Sequence, residues 1–302
     1  MTTFVQSINQ LEEAFLVGFW GTRGSVPTPG RVTEKYGGNT SCVHIEVDNT
    51  ILIFDAGTGI RNFGIELKRR DLLNKPDTSL HIFLSHTHWD HIQGLPFFEP
   101  AYMPDVNIVI YGAAKRGKFL EKILRGQMDQ NYFPVEMSAF SSNLQIREIT
   151  GNSVSVGSLK IGVQELIHPG GSLAYKVNHK GKTCIYATDN ELNILYTYEE
   201  KNGSPHPQKA AIMDFFRNAD LLIADGQYTS EEYKEGWGHT SLNILTKFAY
   251  SVGVKKMAVF HHDPLHTDAI LDKFASEYSV KYNSMTPPME IFWAREGMII
   301  GV

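Results

Sequence analysis

The chain has 302 residues, 42% of them hydrophobic, with a formal charge of −5. That fits one large soluble domain or two small ones, and the acidic balance without a basic run disfavours nucleic acid as the main partner, because such binding rests on neutralised phosphates. No stretch approaches the roughly 20 apolar residues of a membrane span, Met1–Glu13 lacks the basic and apolar regions of a secretory signal, and the two cysteines, Cys42 and Cys184, lie outside any CxxC pair; a reduced, cytoplasmic setting is expected.

Short runs rich in β-branched and aromatic residues, bounded by turn residues, read as strands. The first, Phe15–Trp20, leads into Gly21-Thr22-Arg23-Gly24-Ser25-Val26-Pro27, and Gly37-Gly38-Asn39-Thr40-Ser41 precedes the second, Cys42–Val47. The third, Ile51–Phe54, ends at Asp55 and a glycine-rich turn, followed by a helical pattern at Ile60–Arg70. Asp55 at that point can cap the helix or fix neighbouring loop residues, and the two roles are compatible.

The strand Leu80–Leu84 runs into His86-Thr87-His88-Trp89-Asp90-His91. Imidazole nitrogens and carboxylate oxygens are the usual ligands of zinc in open catalytic sites. Alternate members of an extended loop, His86 and His88, can converge on one ion, which leaves Asp90 and His91 for a second. A buried strand ending in this cluster sets it at the mouth of a sheet.

Strands follow at Val106–Tyr111 and Leu144–Ile149, with a helical pattern at Lys115–Gln130 between them. The second half adds strands at Leu159–Ile167, Leu173–Val177, Thr183–Ala187, Leu221–Ala224, Met257–Phe260, Met289–Trp293 and Met298–Val302. Helical patterns lie at Gln208–Arg217, Leu242–Ser251 and Asp268–Tyr278, and Tyr196–Gln208 reads as a loop. Several of these strands end in a metal-ligand type: His168 before Pro169-Gly170-Gly171, Asp189 after Thr188, Asp225 after Ala224, and His261-His262 after Phe260.

The pattern HxHxDH resembles the metallo-β-lactamase superfamily of di-metal hydrolases. The resemblance implies an α/β fold, an αββα sandwich of two packed mixed sheets flanked by helices, over a single domain of residues 1–302. It implies a first metal on His86, His88 and His168, a second on Asp90, His91 and His261, and Asp189 bridging them. Asp55 would stand behind the metal loop and orient it. His261 is preferred to His262 because the family's histidine comes first after the strand; His262 would then line the pocket. Two divalent ions are expected, zinc in first place, with manganese also suited to the N/O donor set. Water between two cations, its pKa strongly lowered, would be the nucleophile.

Within the superfamily, the glycine turns around Arg23 and Ser25 and the segment Gly37–Cys42 resemble the N-terminal signature of the ribonuclease Z-like branch. Arg23 can contact a substrate phosphate or pair locally. In that branch an acidic residue and a histidine placed like Asp225 and His239 form a pair near the metals, the histidine giving a proton to the departing ribose oxygen. The plainer reading makes Asp225 a supporting carboxylate and His239 a cap on the helix at Leu242–Ser251. Asp90, Asp225 and His239 form the expected catalytic set. tRNA-processing members carry a long arm between the third ligand and the bridging aspartate, and the stretch from His168 to Asp189 is too short for one. The expectation is therefore a phosphodiesterase opening small cyclic nucleotides or cyclic ribose phosphates. The alternatives are a ribonuclease Z-like endoribonuclease in tRNA 3′ processing, an ester or lactone hydrolase, and a non-catalytic metal-binding protein. A homodimer is expected by resemblance alone. Tyr132, Phe133 and the loop Tyr196–Gln208 are candidates for shaping the pocket.

Overall fold

The computed structural model describes residues 15–48, 50–73, 78–113 and 119–302. The N-terminal stretch read above for a signal, and the part of the one-domain expectation covering 1–14, lie outside the described residues.

Two seven-stranded sheets pack face to face. The first holds β1 (Leu16–Gly21), β2 (Cys42–Val47), β3 (Thr50–Phe54), β4 (Ser79–Phe83), β5 (Asn107–Gly112), β6 (Asn143–Glu148) and β14 (Ile299–Gly301), in the order β14-β1-β2-β3-β4-β5-β6. The second holds β7 (Ser153–Val156), β8 (Leu159–Leu166), β9 (Ser172–His179), β10 (Lys182–Ala187), β11 (Leu221–Asp225), β12 (Lys256–Phe260) and β13 (Glu290–Trp293), in the order β13-β12-β11-β10-β9-β8-β7. Each sheet has a parallel half, β3 to β6 in one and β10 to β13 in the other. Helices cover both outer faces, so the expected αββα sandwich is the architecture observed.

The side-chain alternation explains the layering. In β3, Leu52 and Phe54 face the core between the sheets, while Ile51 and Ile53 face the outer core under the helix Gly59–Arg69. In β12, Ala258 and Phe260 point between the sheets, and Met257 and Val259 point to the helices on the other side. Strands buried on both faces read as continuous apolar runs, which is why these were visible in the sequence. Each large side chain fully buried this way stabilises the fold by roughly 1.5–3 kcal/mol.

Several boundaries and elements differ from the sequence expectation. β7 was missed, because Ser153-Val154-Ser155-Val156 is short and half polar. The helix Asn193–Asn202 takes the first half of the expected loop Tyr196–Gln208; its charged end, Glu199-Glu200-Lys201, hides the apolar stripe, and only Leu195 is buried. The left-handed Gly203 ends it. The helix at Leu120–Gln127 is shorter than Lys115–Gln130, of which residues 115–118 lie outside the described set. The last helix runs from Asp268 to Asn283, started by the Thr267 side chain accepting from the Ile270 amide.

Candidate metal centre

The parallel halves of both sheets, together with β8, deliver their carboxyl ends to one edge of the sandwich, where open α/β sheets bind ligands. β4 leads to His86, β8 to His168, β10 to Asp189, β11 ends in Asp225 and β12 leads to His261. Asp55, Asp189 and His261 have φ of 61°, 52° and 59°, in the left-handed region where non-glycine residues are uncommon and cluster at functional sites.

Two groups form. His86, His88, His168 and Asp189 have ligand atoms all within 4.8 Å of one another, and so do those of Asp90, His91 and His261. Asp189 joins the groups. Its Oδ2 lies 3.6 Å from His86 Nε2 and 3.8 Å from His168 Nε2, while its Oδ1 lies 3.3 Å from His91 Nε2 and 3.2 Å from His261 Nε2. All the residues named as ligands from the sequence therefore meet here.

The far nitrogen of most rings is already used, which sets the one that faces inward. His91 Nδ1 donates to Asp55 Oδ2 at 2.7 Å, His168 Nδ1 to the Gly238 carbonyl at 3.1 Å, and His261 Nδ1 to Gln227 Oε1 at 3.0 Å. Asp55 also accepts from the Ser85 amide, Ser85 Oγ and Tyr186 Oη, so it fixes the loop start and its imidazole together. The Ser25 amide donates to Asp90 Oδ2 at 2.8 Å and orients that carboxylate. Gln227, Ser85 and Tyr186 escaped the sequence reading. Only Gln227, two residues beyond Asp225 at the end of β11, carried any signal for it.

The donor set fits a pair of divalent cations. His86 Nε2 is buried without a hydrogen-bond partner among the described residues. His168 Nε2 and His88 Nδ1 face each other at 3.1 Å, as do His261 Nε2 and His91 Nε2 at 3.3 Å. One proton can bridge such a pair, whereas a cation satisfies every lone pair at once. Burial, the largest influence, holds His86 well below the usual imidazole range, and burial likewise lowers His88 and His168, so these rings stay neutral and ready to ligate. Burial works against ionised Asp90 and Asp189, yet the imidazoles of His91 and His261 beside them hold both well below the usual carboxylate range.

His239 lies against this centre. Its ring stacks on His261 at 5.1 Å between centroids, and its Nδ1 donates to Asp225 Oδ2 at 2.6 Å. Burial opposes charge on it, but the Asp225 carboxylate beside it raises its pKa to about 9. Asp189, Asp225, His239 and His261 also have ligand atoms within 4.8 Å of one another, so Asp225 and His239 sit close enough to touch whatever the centre holds. His88 is exposed and opens the site to solvent, while His91 and His261 close its floor.

Two sequence expectations are corrected. Arg23 does not reach a substrate: it is fully buried, with Nε donating to Gly37 O and Nη1 to Asp263 O and His266 O. It staples the turn after β1 to the loop after β12. His262 does not line the pocket: it is fully buried, and its Nε2 donates to Ala294 O at 2.9 Å. His262→Ala is therefore expected to keep the full metal content and lose roughly 1–3 kcal/mol of stability through the orphaned carbonyl, whereas His261→Ala should lose metal. Metal analysis beside thermal melting checks both, and metal loss in His262→Ala would reverse the assignment. Of the aromatic candidates, Phe133 packs edge-on against Phe97, while Tyr132 is exposed.

The fold and the paired clusters define a metallo-β-lactamase-type hydrolase centre. The beta-lactamase superfamily domain matches residues 50–262, and the chain belongs to that family. Over 292 residues it is 24% identical to ribonuclease Z from Prochlorococcus marinus subsp. pastoris, covering 83% of this chain and 89% of that protein. Among solved structures it is similar to the metallo-beta-lactamase fold protein YhfI from Bacillus subtilis, with a TM-score of 0.66 and 16% identity over 96% of this chain and all of that one. Human short-form tRNase Z follows with a TM-score of 0.61 and 18% identity over 95% of this chain and 99% of that one. Among the described residues no helix is long and apolar enough to cross a membrane.

Proposed function

We propose that this chain is a phosphodiesterase of the ribonuclease Z type, cutting an RNA phosphodiester beside a ribose. The observation that carries the reading is the His239–Asp225 pair set against the histidine–aspartate clusters. His86, His88 and His168 with Asp189 would hold one divalent ion, and Asp90, His91 and His261 with Asp189 the other. When bound, such a pair of ions activates water and neutralises charge on a phosphoryl group. The protein's own residues do the rest. Asp225 fixes the tautomer of His239, so that Nε2 is the nitrogen left to donate. Asp225 also holds the ring protonated near neutral pH, and His239 delivers the proton to the departing ribose oxygen, a poor leaving group as an alkoxide. A lactone or β-lactam hydrolase has less need of such a donor so placed.

The resemblance in sequence to proteins named ribonuclease Z over most of this chain supports the RNA reading over the small cyclic phosphodiester first expected. One observation favours that smaller substrate as the second reading. Between His168 and Asp189 the chain makes only the hairpin of β9 and β10, closed at Lys180-Gly181, where tRNA-processing members of the resembled branch carry an arm. A panel of pre-tRNA, cyclic mononucleotides, bis-p-nitrophenyl phosphate and a lactone, with and without chelator, tests the choice. Metal-dependent cutting of pre-tRNA is expected. Ring opening of cyclic nucleotides with pre-tRNA left intact would select the second reading, and lactone turnover alone would sink both. Zinc is the expected ion, and metal analysis decides between it and manganese.

A further inference from the structure

Glu191 lies two residues after Asp189, is 1% exposed, and has no role in the chemistry above. Its amide donates to Ile167 O at 2.7 Å, which ties it to the residue before His168. Its carboxylate reaches across to the loop that leads into His239. Oε1 accepts from Tyr233 Oη and from the Gly236 amide, both at 2.7 Å, and Oε2 accepts from the Gly238 amide at 2.8 Å. Gly236 and Gly238 have φ of 83° and 88°, the turn that points their amides inward at one anion. A side chain on Gly238 would also run into His168. The Gly238 carbonyl in turn receives His168 Nδ1. On the far side of His239, Thr240 Oγ1 donates to Asn190 O and accepts from the Leu192 amide. The backbone on both sides of His239 is thus fastened to the segment Asp189–Leu192. Elsewhere the approach loop is exposed at Glu231, Lys234, Glu235 and Trp237, and it is tied at its start by Glu232, which accepts from Thr229 and pairs with His266.

We propose that Glu191 is the positioning residue for His239, holding the Gly236–Gly238 turn so that the imidazole sits at a fixed distance from the bridging aspartate. This rests on the reading of His239 as the proton donor. A carboxylate suits the task because three donors converge on it, and hydrogen bonds to a charged acceptor are about twice as strong as neutral ones. An amide of the same shape cannot replace it: Glu191→Gln sets an NH2 group against at least one of those N–H or O–H donors. Glu191 touches no reacting atom; its effect passes through the loop to the pose of His239, where a misplacement of about 1 Å costs on the order of 10²-fold.

The test uses the full chain with its metals. In Glu191→Gln the amides of Gly236 and Gly238 should exchange with solvent ~10–100-fold faster, matching the loss of hydrogen bonds to a charged group. Metal content should stay at the wild-type level. Turnover of a substrate with an alkoxide leaving group should fall ~10²-fold with KM little changed, while a p-nitrophenyl phosphodiester should be cut at nearly the wild-type rate. Adding Glu191→Gln to His239→Ala should cost nothing further, since both act through one group. Tyr233→Phe, which removes one donor from the half-exposed side of the loop, should show the same pattern in smaller size, and it decides the matter if Glu191→Gln fails to fold. Unchanged amide exchange overturns the proposal, and so does an equal loss on both leaving groups or an additive loss in the double variant. If His239→Ala itself shows no leaving-group dependence, the proton-donor reading falls, and amide exchange in Glu191→Gln still decides whether Glu191 holds the loop.

Discussion

Asp189→Ala is expected to empty the metal centre and stop turnover. The wild-type chain should carry about two ions, the number for which this kind of clustered donor set is built. Asp189 faces both groups, Oδ2 toward His86 and His168 and Oδ1 toward His91 and His261. Without it two cations would sit close together with no shared anion between them, and each group would lose a ligand. His88→Ala, at the exposed edge, should also abolish stoichiometric binding and turnover, because it leaves the first group without one of its three imidazoles. The reading has a second observable besides activity. Metal that binds only the folded chain stabilises it by linkage, so a chelator should lower the melting temperature of the wild type and leave that of Asp189→Ala unmoved. A chelator-treated chain free of metal by elemental analysis but fully active would end the di-metal reading.

His239→Ala should keep its metals and lose turnover by roughly 10²–10⁴-fold on substrates with alkoxide leaving groups. The loss should shrink on p-nitrophenyl esters, whose phenolate departs without a proton. Asp225→Asn should show a smaller defect of the same kind, since it removes the charge that keeps His239 protonated but leaves a side chain able to accept from Nδ1. Metal analysis is the decisive control. His239 and Asp225 have ligand atoms within reach of those of Asp189 and His261, so a drop in metal content would make His239 a ligand instead of the proton donor. Equal losses on both leaving groups would assign it to substrate placement.

The strands and ligand types were legible because both follow local rules. β3, β4, β11 and β12 are short apolar runs that lead into polar residues, and Leu242–Ser251 is a helix with the bounds its periodicity predicts. Elements whose burial is slight, such as β7 and the helix Asn193–Asn202, lacked that pattern and were missed. Arg23 and His262 misled for a related reason. A buried arginine bonded only to carbonyls and a histidine facing Ala294 look, in sequence, like residues available to a substrate.

The sequence by itself determined the residue types at the strand ends and their order, because ligand chemistry is confined to a few side chains and strand ends are marked by local pattern; the sandwich that carries them was expected from the resemblance borne by the HxHxDH pattern. Only the tertiary structure decided which atoms face one another. His261, already preferred to His262 by resemblance, faces the other ligands with a left-handed backbone just after β12, while His262 faces Ala294. The orientation of His91 follows from Asp55, contributed by a neighbouring strand. The hold of Glu191 on the turn before His239 spans more than forty positions of chain, and no local pattern records a contact at that separation.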